Sequence, residues 1–230
     1  MGDYLRQQPR DIVYNLCQYG MGDVWKWGDA VGGQCWRTTN DITDTWESVK
    51  GIALSQDRAA AWAKPGNWND PDMLQIGRLG KVGKANTTFS PTRLTPDEQY
   101  FQMSFWAIIS APLIISCDLE HLDDFTRGIL CNREVIAVNQ TFRGPSEKVL
   151  SQDDGEVWIK PLGEGRTAVG FFNKSNKGQI IHVPLSRLKL KSPQNARDLW
   201  KQENAGTASR EMKVRLNPHG AALFLLEGKR

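Results

Sequence analysis

The chain has 230 residues, 40% hydrophobic and 24% charged, an ordinary globular composition that can bury one large core or two modest ones. Its longest apolar run, residues 105–117, is broken by Ser110 and Pro112 and is too short to span a membrane. Residues 1–140 carry 13 Lys/Arg against 17 Asp/Glu, and residues 141–230 carry 16 against 9; the later basic residues stand singly along alternating segments, which reads as a solvated strand face and argues against nucleic-acid binding.

Taken in order, residues 12–17 are a strand candidate. Residues 45–63 have helical apolar spacing, and residues 68–76 hold a short strand and a turn. A helix is expected from Thr95, which caps it, with Pro96 opening the first turn and Glu98 completing a capping box. Residues 113–116 read as a buried strand, residues 122–130 as a helix, and residues 135–139 close the region. This alternation predicts parallel βαβ units with functional loops after the strands, and four such units make half of a (β/α)8 barrel. No GxGxxG occurs, which disfavours a Rossmann sheet. After residue 147, alternating or apolar segments at residues 157–159, 167–172, 179–183, 196–200, 213–216 and 221–226, separated by Gly, Pro, Asn and Ser clusters, predict an antiparallel β-sandwich. The expected fold is therefore α/β plus all-β, with a half barrel at residues 1–145 and a sandwich at 146–230.

Two blocks carry the chemistry: Trp36-Arg37-Thr38-Thr39-Asn40-Asp41-Ile42 and Trp68-Asn69-Asp70-Pro71-Asp72-Met73-Leu74. Cleaving a glycoside needs two carboxyl groups across the bond, one of them able to protonate the leaving oxygen. Asp41 is the candidate acid/base; an ion pair with Arg37 or a helix cap ahead of Trp46 are the plain alternatives. Pro71 stiffens the turn between Asp70 and Asp72. That suits Asp72 to accept sugar hydroxyls, with Met73 or Trp68 against the apolar face, whereas Asp70 is expected to bond its own backbone. Gln18 and Tyr19 lie where a barrel mouth would be, as does Asp118. Seven of the nine Trp fall between Trp25 and Trp106. Trp25 and Trp27 serve either sugar stacking or core packing. Cys17 and Cys35 flank one loop and could pair in an exported protein, while Cys117 reads as a buried thiol. Neither zinc spacing nor GxSxG, P-loop or HExxH motifs occur, which disfavours those chemistries. Sequons at Asn86, Asn139 and Asn173 are of a kind common by chance.

At these residues the chain resembles glycoside hydrolase family 27, the α-galactosidases and their relatives. The matching stretches are Ile12-Val13-Tyr14-Asn15-Leu16-Cys17, the two blocks above with Pro65-Gly66-Asn67 leading the second, Ala111-Pro112-Leu113-Ile114, Glu134-Val135-Ile136-Ala137-Val138-Asn139-Gln140 and Asn217-Pro218-His219-Gly220. The resemblance implies a (β/α)8 barrel followed by a sandwich, and retaining cleavage of terminal α-D-galactosides without a cofactor. By motif, Asp41 corresponds to the acid/base and Arg37 to a substrate-gripping residue. Asp72 and Met73 correspond to substrate contacts, and Cys17 lies at the sugar pocket. Where the α-galactosidase pattern continues Cys-Glu-Trp, this chain reads Cys17-Gln18-Tyr19, near the sugar's 2-substituent. That keeps α-N-acetylgalactosaminidase and β-L-arabinopyranosidase specificities open. The family's nucleophile, an Asp in a Lys-Tyr-Asp motif on the fourth strand, has no counterpart here. The sequence thus reads as strands five to eight, with the first half of the barrel as its missing partner and with any secretory, periplasmic or lysosomal signal upstream. A non-catalytic sugar-binding or structural fragment is the alternative from another class.

Overall fold

A parallel row of short strands organises the first part of the molecule. The computed structural model describes residues 1–80, 88–152, 154–191 and 193–228, so the Asn86 sequon lies outside the described residues. After α1 (Gly2–Arg6) come β1 (Asn15–Leu16), β2 (Cys35–Arg37), α2 (Trp46–Ser55), α3 (Asp57–Ala60) and β3 (Trp68–Asp70). The strands pair in the order β1-β2-β3, with Leu16 opposite Trp36 and Arg37 opposite Asp70. The segment expected as one helix over 45–63 divides at Gln56, whose buried amide bonds Thr38 Oγ1 at 2.9 Å and Ile52 O at 3.0 Å.

The fourth strand of the row is thinner than expected. Residues 113–116 make one parallel bridge, Ile115 to Leu74, and Ile115 is 44% exposed. Val13 is also exposed, beside β1. A pair that the sequence reading did not anticipate, β4 (Arg78–Gly80) with β5 (Phe89–Pro91), follows β3.

Three helices then cover the row: α4 (Pro96–Ile108), α5 (Asp124–Leu130) and α6 (Arg133–Gln140). The Thr95–Glu98 capping box forms as the sequence predicts, with Thr95 N donating to Glu98 Oε2 at 2.8 Å. Most of α4 is buried because it lies between two layers. Phe101 and Phe105 face Trp158 and Phe172 of the sheet behind it.

That sheet is antiparallel and six-stranded, built from β6 (Glu147–Gln152), β7 (Gly155–Gly163), β8 (Arg166–Asn173), β10 (Gln194–Asp198), β11 (Glu203–Ala208) and β13 (Ala221–Gly228), in the order β11-β10-β13-β8-β7-β6. β9 (Gln179–Pro184) and β12 (Glu211–Leu216) form the second layer. Val157, Val169 and Phe171 meet Ile181, Val183 and Val214 in the sandwich core. The opposite face, with Trp158, Ala168 and Leu223, joins the core of α4. Sheet strands β7 and β8 are therefore buried on both faces, whereas β9 and β12 alternate with period two. A Cβ at Gly170 would stand 2.6 Å from Phe172 Cε2 and 3.0 Å from Ile108 Cδ1, so this glycine sets the close approach of α4 to the sheet.

Lys160, fully buried in β7, ties the sheet to the helices. Its ammonium donates to Ser110 Oγ at 2.5 Å, to Asn139 O at 3.1 Å and to Val138 O, capping the last turn of α6. Burial pushes its pKa down to about 7, so the unfolded chain holds more protons than the folded one between pH 7 and the ordinary lysine value of about 10.4. Stability is therefore expected to rise with pH across that window, by up to about 1.4 kcal/mol per unit. Denaturant titrations of wild type and Lys160→Met over this range check it: the slope should flatten in the variant.

Asn139 and Asn173 each spend both amide hydrogens on backbone carbonyls, those of Trp106 and Ala111 and of Lys177 and Asn217 respectively. These two sequons serve the fold.

Candidate active site

The parallel register brings the two sequence blocks together. Arg37 ends β2 with 9% exposure, and Asp70 ends β3 beside it. Asp70 Oδ1 accepts the backbone N–H of Asp72 at 2.8 Å and Oδ2 accepts Asn15 Nδ2 at 2.8 Å. Its role is the backbone turn that the sequence reading favoured. The turn holds Asp72 at φ 84°, a strained region for a non-glycine residue and one often found at functional sites. Trp106 Nε1 donates to Asp72 O at 2.7 Å and fixes that conformation.

Asp72 is then held on both carboxylate oxygens. Its Oδ2 lies 2.6 Å from Arg37 Nη2 and accepts Ile42 N at 2.9 Å, while Oδ1 accepts Met73 N at 2.8 Å. The same Arg37 nitrogen reaches Asp41 Oδ1 at 3.1 Å. The Asp41 side chain is 73% exposed. Helix α2 is capped by Thr45, whose side chain accepts Ser48 N, so Asp41 is not the cap. One buried guanidinium thus holds one carboxylate inside and another at the surface.

The rim around this pair is formed by the turn after β1. The Arg37 guanidinium stands 5.5 Å from the Tyr19 ring centroid. A hydrogen bond with Cys17, and then the negative charge of Asp41, raise the Tyr19 hydroxyl above its ordinary pKa. Gly20 N donates to Arg37 O at 3.0 Å. At φ 78° a Cβ on Gly20 would meet Thr38 O at 2.2 Å, so only glycine fits this turn. Cys17 and Met73 are exposed and Gln18 is half-buried. Arg37 Nε and Thr39 Oγ1 are buried with no hydrogen-bond partner among the described residues. The sequence reading did not single out Thr39; as one of two adjacent threonines it carried no distinguishing signal.

Other expected site residues lie elsewhere. Trp25 is 3% exposed and packs with Leu16, Val24, Trp36 and Ala59, with the Arg58 guanidinium 5.0 Å from its ring. Of its two readings, stacking and packing, the structure has the packed one. Asp118 bonds Glu120 N and His121 Nδ1 in its own turn. All four cysteines are free, so the pairing left open for Cys17 and Cys35 is not formed. The register sets Asn15 against Cys35, leaving Cys17 two residues further along, with Cα atoms about 8 Å apart by strand spacing and beyond disulfide reach. Cys117 is half-buried, and burial raises its thiol pKa. An open groove of about 740 Å³ lies away from Asp41, along the sandwich seam lined by Met212, Val214 and Phe224. Charged side chains, among them Asp97, Asp198, Glu211, Lys213 and Arg215, line it as well, and Arg37, Asp41 and Asp72 take no part in it. Among the described residues no cluster of three or more His, Cys, Asp or Glu could hold a metal ion, and no helix is long and apolar enough to cross a membrane.

Comparison with known proteins decides the family. The family model described as alpha galactosidase A matches residues 2–141, and the alpha galactosidase C-terminal beta sandwich domain matches residues 152–226. The chain belongs to glycoside hydrolase family 27. This family 27 chain is 37% identical over 229 residues to alpha-galactosidase 2 of Arabidopsis thaliana, covering 98% of the chain and 54% of the relative. It is 36% identical to the alpha-galactosidase of Cyamopsis tetragonoloba, covering 98% and 52%. The crystal structure of the family 27 β-L-arabinopyranosidase from Geobacillus stearothermophilus matches with a TM-score of 0.92 at 30% identity, covering 99% of this chain and 52% of that one. The chain spans about half the length of the curated relatives it matches. Its fold is the half barrel followed by a β-sandwich that the family resemblance implies.

Proposed function

We propose that this chain supplies the acid/base side of a retaining glycosidase that removes terminal α-D-galactosyl residues. The observation that carries the reading is the shared guanidinium: Arg37 fixes one oxygen of exposed Asp41 while its own position is fixed by buried Asp72. In the first step Asp41 gives its proton to the leaving oxygen as a carboxylate attacks the anomeric carbon. In the second, Asp41 takes a proton from the water that releases the sugar. Arg37, Asp72, Met73, Cys17, Gln18 and Tyr19 line the sugar, residues 1–145 form its half barrel and residues 146–230 the sandwich.

Asp72 is close enough to Asp41 to resemble the retaining spacing of about 5–5.5 Å, since both contact one nitrogen. Its three hydrogen bonds and burial make it a poor nucleophile. The attacking carboxylate is therefore assigned to the other half of the barrel, which the family relatives carry in their longer chains. A second reading, β-L-arabinopyranosidase, has support from the Geobacillus neighbour and from Gln18 at the sugar's 2-position; that sugar lacks the galactose hydroxymethyl group.

The test is hydrolysis of nitrophenyl α-D-galactopyranoside, α-N-acetylgalactosaminide and β-L-arabinopyranoside. It is run on the 230-residue chain and on the polypeptide translated from the upstream coding sequence through Arg230. The galactoside should be preferred, and only by the longer polypeptide. Preference for either other sugar overturns the specificity. Turnover by the 230-residue chain that dies in Asp72→Asn moves the nucleophile to Asp72.

A further inference from the structure

The motif Asn217-Pro218-His219-Gly220 takes no part in the site described above, yet it makes a specific contact between the sandwich and the barrel half. His219 sits at φ 56°. Its ring stacks on Trp46 with centroids 4.1 Å apart and planes 14° from parallel. Nδ1 lies 2.6 Å from Glu98 Oε1 and Nε2 lies 2.6 Å from Asn176 Oδ1. The backbone N–H donates to Ser175 O at 3.2 Å, and Asn217 Nδ2 donates to Asp97 Oδ2 at 3.2 Å. The turn is thereby fastened to the first turn of α4.

Trp46 is the first residue of α2 and directly follows the loop that carries Asp41. Its Nε1 is buried with no hydrogen-bond partner among the described residues. What holds it is packing: the His219 stack, Phe101 edge-on at 4.9 Å and the Lys50 ammonium 5.7 Å from its ring. Besides the contacts with Arg37 and that of Thr43 N with Ser48 Oγ, the loop is anchored at two further points. Ile42 N donates to Asp72 Oδ2 at 2.9 Å, and Asp44 takes the Arg93 guanidinium at 2.6 Å and its N–H at 3.0 Å. The first anchor belongs to the site and the second to the lead-in to α4. The third, at Trp46, is the one the sandwich supplies.

We infer that His219 is a positioning residue for Asp41: through its stack on Trp46 the sandwich holds the far end of the acid/base loop in register with Arg37. This rests on the reading of Asp41 given above. It also assigns the sandwich a share in proton transfer, although the site described above includes none of its described residues.

The inference has a signature that a general loss of stability lacks. A displaced acid hurts substrates whose leaving oxygen needs a full proton, and spares those whose leaving group departs as a stable anion. In the longer polypeptide, His219→Ala should lower kcat/KM on melibiose by about 10- to 100-fold, the scale of an ångström-size misplacement. On dinitrophenyl α-galactoside the loss should stay below about twofold on the same reasoning. His219→Asn tolerates the positive φ and keeps a donor toward Glu98, so it guards against a variant that fails to fold; lacking the ring, it should retain most of the melibiose defect. Asp41→Asn is measured alongside. If Asp41→Asn discriminates between the two leaving groups and the His219 variants do not, or if His219→Asn is fully active, the positioning role is overturned. If Asp41→Asn itself does not discriminate, the reading of Asp41 fails and the inference with it.

Discussion

Asp41→Asn should lower kcat/KM on melibiose by about 10²- to 10⁴-fold, the usual contribution of a positioned general acid, and barely change it on dinitrophenyl α-galactoside. The asymmetry follows from which bond needs the proton. A sugar alkoxide is a poor leaving group and departs only as it is protonated, whereas dinitrophenolate leaves unaided. The kcat on the aryl substrate should nevertheless fall, because releasing the glycosyl intermediate needs the same residue as a base toward water. Asparagine preserves the shape of the carboxylate and an acceptor for Arg37, so the binding proposed for Arg37 and Asp72 should survive. A uniform loss across leaving groups would instead mark Asp41 as a binding or structural residue. Steady-state kinetics of wild type and variant across a leaving-group series separates the two.

The second large effect concerns the pair beneath it. Arg37 and Asp72 expose only 10% and 11% of their side chains; removing Arg37 leaves a buried carboxylate uncompensated, and removing Asp72 leaves the buried guanidinium only the exposed Asp41. Arg37→Met or Asp72→Leu should therefore each cost about 3–5 kcal/mol of folding stability. The double variant should cost clearly less than the two together, since it leaves no orphaned charge. Asp72 also accepts the N–H groups of Ile42 and Met73, so its replacement should be the more damaging of the two. Denaturant unfolding of the four proteins in a double-mutant cycle checks this. Additive losses would show that the pair contributes little as a pair.

What was legible from sequence was what is local. The Thr95–Glu98 capping box lies within four residues, so its chemistry could be read directly and its geometry followed. The alternating strands β9 and β12 revealed themselves by period. The strands at the two ends of the six-stranded sheet, β6 and β11, did not, because edge strands carry polar residues that blunt their exposed side and so lack an apolar signature. Residues 113–116 misled in the other direction: an apolar run implied a buried strand, but with a single bridge to Leu74 it leaves Ile115 in solvent. The site was legible as residue types and not as partnerships. Sequence offered Arg37 as a partner for Asp41 four residues away. The shorter contact runs instead to Asp72, which only the parallel pairing of β2 with β3 brings alongside. Trp25 could not be assigned to core or sugar, because the choice depends on Leu16 and Ala59 closing over it. Lys160 gave no sign of burial, since its partners on α6 and beyond α4 are about 20 and 50 residues away in the chain.

The central claim is that Asp41 serves a double-displacement reaction as both acid and base. Its most direct test is the product formed when azide is supplied to Asp41→Asn of the longer polypeptide with dinitrophenyl α-galactoside. Azide needs no base to attack the glycosyl intermediate. The account predicts that azide restores turnover and that the product is α-configured galactosyl azide, formed by a second displacement on the face from which the leaving group departed. A β-configured azide, or no rescue at all, would contradict it.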